Sequence, residues 1–246
     1  MQLASRLTSG RRILIGGFLF ACFAGTLPSG AAQAATAKKA TKATPLKAEP
    51  KDEAEPAAPA PSLPPAGTSP MADLKKSNAA LRKLFQKSSP SWSPEHDAKR
   101  SEMRKIVSSF LDFEELAHRA LACHWEDLTP KQRTEFVGVL RDLIERNYIK
   151  QVHGQPNYEL RFNKEAIKDS EATVDSTLDA SHDGKKVTVE MEYKLLYKVG
   201  RWLVYDVITD EQSMLENYRA EFNKIITKES FDALLKRMKK RLEKTE

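Results

Sequence analysis

The spacing of apolar residues changes twice along the chain. From Met71 to Tyr148 it is helical. Leu74, Leu81, Leu84 and Phe85 mark one helix, and Ser93-Pro94 opens a second with proline at its first position. Asp112 with Glu115 forms a capping box ahead of Leu116, Ala117, Ala120 and Leu121. Thr129-Pro130-Lys131-Gln132 opens the longest helix, whose Phe136, Leu140, Leu143, Ile144 and Tyr148 form one stripe. From Tyr158 the period falls to two. YELRF (158–162) alternates, and ATVDSTLDA (172–180) pairs with the next segment across SHDGKK. In that next segment Val187, Val189, Met191, Tyr193 and Leu195 face inward, while Thr188, Glu190, Glu192 and Lys194 face water. Beyond 210 the helical spacing returns, predicting amphipathic helices over 212–226 and 230–243.

One strand breaks the pattern. Trp202 to Ile208 is apolar on both faces and carries a single acid, Asp206. A strand of that kind is covered on both sides. Helices, then an antiparallel meander, then helices predict an α+β domain. The expected architecture is a curved antiparallel sheet enclosed by helices, with the 202–208 strand near its centre.

The chain before Met71 reads differently. Arg6, Arg11 and Arg12 precede the apolar run ILIGGFLFACFAGTL (13–27), which is short for a membrane span and ends toward AQA (32–34). Residues 1–34 are expected to be a secretory signal peptide cut after Ala34, the competing reading being a membrane anchor. Arg11-Arg12 lacks the rest of a twin-arginine pattern, so general export is expected. LFAC (19–22) resembles a lipobox with Phe at an unusual position, leaving open a lipoprotein anchored at Cys22. Residues 35–70, rich in Ala, Pro and Lys, contain nothing that builds a core and read as a disordered linker. As a coil the linker would span about 35 Å, and stretched as polyproline II about 110 Å. Residues 71–246 form the single domain.

Removing residues 1–34 reduces the net charge from +6 to +3, and no aromatic-and-basic nucleic-acid motif is present, so no nucleic acid is expected as partner. The mature chain would keep one cysteine, Cys123, and no internal disulfide. Glycine-rich phosphate loops, G-x-S-x-G, H-E-x-x-H and C-x-x-C are all missing. The spacing of His118, Cys123 and His124 fits no standard metal site, so no metal and no cofactor is expected. Cys123 reads as a small buried filler and the histidines as helix-end surface residues. Asp206 is the best acid–base candidate, because an apolar setting raises a carboxyl pKa. The structural reading pairs it with Arg219 or Tyr218. The basic run KRMKKRLEK (236–244) is either a solvated helix face or a surface for anionic lipid or an acidic partner.

Phe136, Tyr148, Met191, Tyr193, Trp202, Tyr205, Met214, Tyr218 and Phe222 are a large aromatic and apolar load for a domain of this size. They either fill a core or line a pocket, and periodicity alone does not separate the two.

Two stretches go beyond periodicity. ALACHWEDLTPKQRTEFVGVLRDLIERNYI (120–149) and GRWLVYDVITDEQSMLENYRAEFNKII (200–226) resemble the MlaC family, also called the toluene-tolerance auxiliary family. The likeness rests on Trp125, Leu128, Thr129, Pro130, Gln132, Arg133, Phe136 and Tyr148, then on Trp202, Tyr205 to Ile208, Ser213, Asn217 to Arg219 and Phe222. It covers about residues 73 to 243. The sequence departs from the family pattern at Glu211-Gln212, where Gly and Val are usual, and at Ala122-Cys123-His124. The resemblance implies a cup like that of nuclear transport factor 2, hollow rather than filled. It further implies a monomeric periplasmic carrier of phospholipid, passing lipid between an outer-membrane lipoprotein complex and an inner-membrane ABC transporter complex by transient docking. On that reading the lipid wall is expected from Phe136, Leu140, Ile144, Tyr148, Val189, Met191, Tyr193, Val204, Tyr205, Met214, Tyr218 and Phe222, with Asp206 and Arg219 as nearby polar elements. Two other readings stay open: a carrier of another apolar lipid such as a hopanoid, and a cup-shaped isomerase or dehydratase using Asp206.

Overall fold

A computed structural model of the chain describes residues 59–86, 94–153, 158–182 and 185–243. Residues 1–34, expected to be a signal peptide, Cys22 among them, and the expected linker up to residue 58 lie outside the described residues. The elements in chain order are α1 (Pro70–Gln86), α2 (Pro94–Phe110), α3 (Phe113–Leu121), a 3-10 turn (Ala122–Trp125), α4 (Pro130–His153), β1 (Tyr158–Lys168), β2 (Glu171–His182), β3 (Lys185–Lys198), β4 (Arg201–Thr209), β5 (Gln212–Ser213), α5 (Met214–Lys228) and α6 (Phe231–Glu243). The strands form one antiparallel meander in the order β1-β2-β3-β4-β5. The sheet is curved and does not close.

The helix starts rest on the residues the sequence nominates. Asp112 Oδ1 accepts from the Glu115 N–H at 3.0 Å. At α4 the Gln132 N–H donates to Thr129 Oγ1 at 3.3 Å while the Thr129 N–H donates to Gln132 Oε1 at 3.0 Å, a reciprocal capping box. The start of α1 is held by tertiary contacts. Glu165 on β1 accepts from Ser69 Oγ at 2.8 Å and from the Met71 N–H at 2.9 Å. The Ser62 N–H donates to the Tyr197 carbonyl at 3.0 Å, so the last residues assigned to the linker are hydrogen-bonded to the sheet. Helix α1 begins at Pro70, beside the boundary expected between 70 and 71.

Strand β4 is buried from Trp202 to Val207, but it does not lie at the centre of the sheet. It is fourth of five, and its outer neighbour β5 is two residues long. Helices supply the cover that further strands would have given, since β4 contacts α1, α2, α3 and α5. The registers Lys194↔Asp206 and Leu195↔Val204 leave Tyr205 as an extra residue, a β-bulge. The bulge lets Val204 and Val207, three positions apart, join the same apolar cluster with Leu74, Trp202 and Leu195. Tyr205 instead joins the helical cluster with Phe136, Tyr218 and Phe222. One strand thereby serves two apolar layers.

Among the described residues, three hairpin turns carry non-glycine residues in left-handed backbone, the first being Asp169 at 55° between β1 and β2. Val199 has φ 54° ahead of Gly200 at 75°, joining β3 to β4. Asp210 and Glu211, at 48° and 65°, join β4 to β5. The latter two are two-residue hairpins of the hand that requires positive φ at both positions.

Candidate functional site

Between α1 and the concave face of the sheet lies a cavity of about 100 Å³. Its floor is Tyr158, Leu160 and Phe162 of β1, Leu178 of β2, Met191 and Tyr193 of β3, and Val207 of β4. Its walls are Leu74, Ser77, Asn78 and Leu81 of α1, Phe110 and Leu111 at the end of α2, Ile144 of α4 and Met214 of α5. The lining is apolar except for a few oxygen- and nitrogen-bearing groups. At one end Tyr158 Oη donates to Asn78 Oδ1 at 3.4 Å. Farther along, Tyr193 Oη lies 4.0 Å from Met191 Sδ. Tyr193 is partly buried, and that burial pushes its phenol up to about 12. Burial raises the Tyr158 phenol too, against the pull of Arg82.

Of the residues expected in the lipid wall, Ile144, Met191, Tyr193 and Met214 line this cavity. The others sit elsewhere. Phe136, Leu140, Tyr218 and Phe222 belong to a filled core between the helices. There Phe222 meets Phe136 edge-on at 5.5 Å and stacks on Tyr218 at 5.4 Å. Tyr205 faces the helices with the Arg119 guanidinium 4.1 Å above its ring. Val204 packs in the cluster beside the cavity, Val189 is buried on β3, and the Tyr148 side chain lies outside the described residues. The helical stripe is thus split: Ile144 reaches the cavity, while Phe136 and Leu140 fill the layer behind.

The two polar candidates have structural work. Asp206 is 1% exposed. It accepts from Ser213 Oγ at 2.7 Å and from the Leu215 N–H at 2.9 Å, and the Glu216 N–H donates to Ser213 Oγ at 3.0 Å. The pair thus satisfies two of the free donors at the start of α5. The structural reading of Asp206 names Arg219 or Tyr218 as partner; its two oxygens instead serve the start of α5, and Arg219 bonds elsewhere. Strand alternation points it away from the cavity that its neighbour Val207 lines. Arg219 Nε donates to the Arg119 carbonyl at 3.1 Å and its Nη1 pairs with Glu216 at 2.8 Å, tying α5 to the end of α3.

The other candidates also resolve into packing. His118 meets Trp125 edge-on at 5.4 Å, and His124 Nε2 lies 2.9 Å from Asn223 Oδ1. Cys123 is exposed rather than buried, because the 3-10 turn carrying it buries none of its residues. No cluster able to hold a metal occurs among the described residues. In the basic C-terminal run, Arg237 pairs with Glu229 and Lys239 with Glu135 across to α4.

Pattern reading passed over Leu74, Ser77, Asn78, Leu81, Phe110, Leu111, Tyr158, Leu160, Phe162, Leu178 and Val207 as wall residues. The alternation of YELRF held a usable signal, since Tyr158, Leu160 and Phe162 share the concave face with Met191 and Tyr193.

Comparison with known proteins settles the family. The family model described as MlaC protein matches residues 75–240. The chain belongs to the MlaC family. Among solved structures, this MlaC chain is similar to a phospholipid-binding protein from Ralstonia solanacearum, determined in complex with a phospholipid. The two are 18% identical with a TM-score of 0.60, covering 72% of this chain and 99% of that one, so the likeness bears on the fold. A variant of Rd1NTF2_05 overlaps 31% of this chain and 60% of that one at 13% identity and a TM-score of 0.22, too little to bear on anything. No curated protein matches the chain.

Proposed function

We infer that this MlaC chain is a phospholipid carrier of the periplasm, taking acyl chains into the cavity between α1 and the sheet. The observation that carries the reading is the cavity itself: a partly open pocket lined almost wholly by hydrocarbon, with no carboxylate, histidine or cysteine among its lining residues. Two acyl chains exposed to water would cost on the order of 20 kcal/mol at about 0.8 kcal/mol per methylene. Moving them from a bilayer into such a cavity is close to neutral, because both surroundings are hydrocarbon. The chain therefore supplies shelter rather than direction. Direction would come from an inner-membrane ABC transporter complex and an outer-membrane lipoprotein complex, between which the carrier docks transiently as a monomer. Residues 1–34 would export it. No described helix is long and apolar enough to cross a membrane.

A cavity of about 100 Å³ is on the scale of the roughly 150 Å³ that admits benzene. Two acyl chains need several times that space, so loading requires the walls to part. The enzyme reading loses its support, since both Asp206 oxygens are engaged on the far side of the strand.

Native mass spectrometry of the purified protein, followed by solvent extraction and lipid identification, tests the proposal. One phospholipid per chain is the expected result. A polycyclic lipid would keep the carrier and change its cargo, and a chain that neither retains nor takes up lipid would sink the reading.

A further inference from the structure

Ser176 is a serine buried at 2% exposure whose hydroxyl finds no hydrogen-bond partner. Leaving such a group unpaired costs about 1–3 kcal/mol, and the strand would be served as well by alanine or valine. Its position says what the hydroxyl is near. On β2, Ser176 lies directly across from Phe162 of β1 and Met191 of β3, both of which line the cavity. Leu178, two residues on and on the same face, lines it too. Tyr193 is the diagonal neighbour of Ser176 across β3, within reach of an aromatic side chain. The Tyr193 hydroxyl lies 4.0 Å from the Met191 thioether, a weak acceptor, and near enough to the Ser176 hydroxyl to feel it, though outside good hydrogen-bonding geometry.

Two hydroxyls without a strong acceptor therefore sit together at the floor of an apolar cavity. We propose that Ser176 and Tyr193 form a hydrogen-bonding point that receives a carbonyl oxygen of the cargo, so that the cavity selects acyl-ester lipids over ethers and pure hydrocarbons. The inference rests on the carrier reading and adds to it the chemical class of cargo. The phenol stays protonated across the whole physiological range, since burial holds it at about 12, so it donates and recognises an acceptor. The serine hydroxyl donates beside it. An ester carbonyl is the acceptor that a phospholipid carries where its chains begin. An ether-linked lipid with the same headgroup and chains has no such oxygen, and the two hydroxyls would stay unpaired on binding it.

The test is a competition between dioleoyl phosphatidylglycerol and its diether counterpart, offered in equal amounts to the delipidated protein and read by native mass spectrometry. The parent protein is expected to favour the ester by about 3- to 10-fold, the value of one neutral hydrogen bond. Ser176→Ala with Tyr193→Phe should bring the ratio near one, and Tyr193→Phe alone should fall between. Leu160→Ala, which alters the wall and not the hydroxyls, should leave the ratio unchanged. Thermal melting should place the double variant at or above the parent, because it removes a buried unpaired hydroxyl; if it fails to fold, Tyr193→Phe alone decides. Equal binding of both lipids by the parent, or an ester preference that survives the double variant, would overturn this proposal and leave the carrier standing. Failure to bind either lipid would remove the carrier reading itself.

Discussion

The helical half of the domain and the concave face of the sheet are equally apolar, yet one is solid and the other hollow. Between α3, α4, α5 and α6, Phe136, Tyr218, Phe222 and Phe231 meet ring to ring. On the concave face, Leu160, Phe162, Met191 and Tyr193 stand side by side along curved strands and reach toward α1 without meeting across the space. Hydrophobicity decides that both regions turn from water. Whether they fill is decided by curvature and by the distance of the covering helix. The lesson is that an apolar stripe fixes a direction and not a packing density.

That contrast can be broken from the solid side first. Phe222→Ala should cost about 3–5 kcal/mol, because the ring is fully buried among other rings and its neighbours cannot collapse into the space; chemical denaturation measures it. Lys198→Met acts where the two regions meet. Lys198 Nζ lies 3.1 Å from Asp112 Oδ2, each side chain is 6% exposed, and Asp112 also caps α3. Removing the ammonium strands a buried carboxylate, a loss of about 3–5 kcal/mol. From the hollow side, Leu160→Trp should change stability by no more than about 1 kcal/mol while expelling most of the bound lipid, as the indole enters space already empty. A destabilisation as large as that of Phe222→Ala would mean that the concave face is packed after all.

Smaller effects sharpen the picture. Val199→Asn should stabilise by about 1 kcal/mol, since a β-branched residue at φ 54° carries a strain that asparagine largely escapes, and the side chain is 63% exposed. The subtlest difference is in pH. Burial pushes the Glu221 carboxyl on α5 up to about 7, against the pull of Arg241, Lys224 and Arg237. The folded state thus holds this proton more tightly than the unfolded chain. Its contribution to stability is full below about 4.5 and is lost as pH rises through about 7, so Glu221→Gln should flatten the melting profile across that window. Lipid occupancy should stay level there, because burial keeps the Tyr193 phenol protonated.

Much of the fold could be read from residue order. The β3 alternation, the Asp112 and Thr129 caps and the twofold burial of β4 are local consequences of side-chain type, and local patterns carry them. The site was less legible. Phe136 and Ile144 share a helical stripe, and nothing in the spacing says that one fills a core while the other lines a cavity. The contribution of α1 depends on where that helix is docked, which Glu165 settles from 94 residues away. Asp206 drew attention as a lone acid in an apolar strand, and its purpose became visible only once the start of α5 was seen against it.

The bulge at Tyr205 makes β4 a strand with two beats. Before it, even-numbered residues look toward the cavity side; after it, odd-numbered ones do. Taking out that single residue would restore plain alternation: Val207 would stay on the cavity side and Asp206 on the side of α5, while the helical layer would lose the Tyr205 ring. Many substitutions along this strand would alter one contact each. One residue added after the bulge would instead exchange the inside and the outside of everything that follows, so the strand is guarded by its count as much as by its composition.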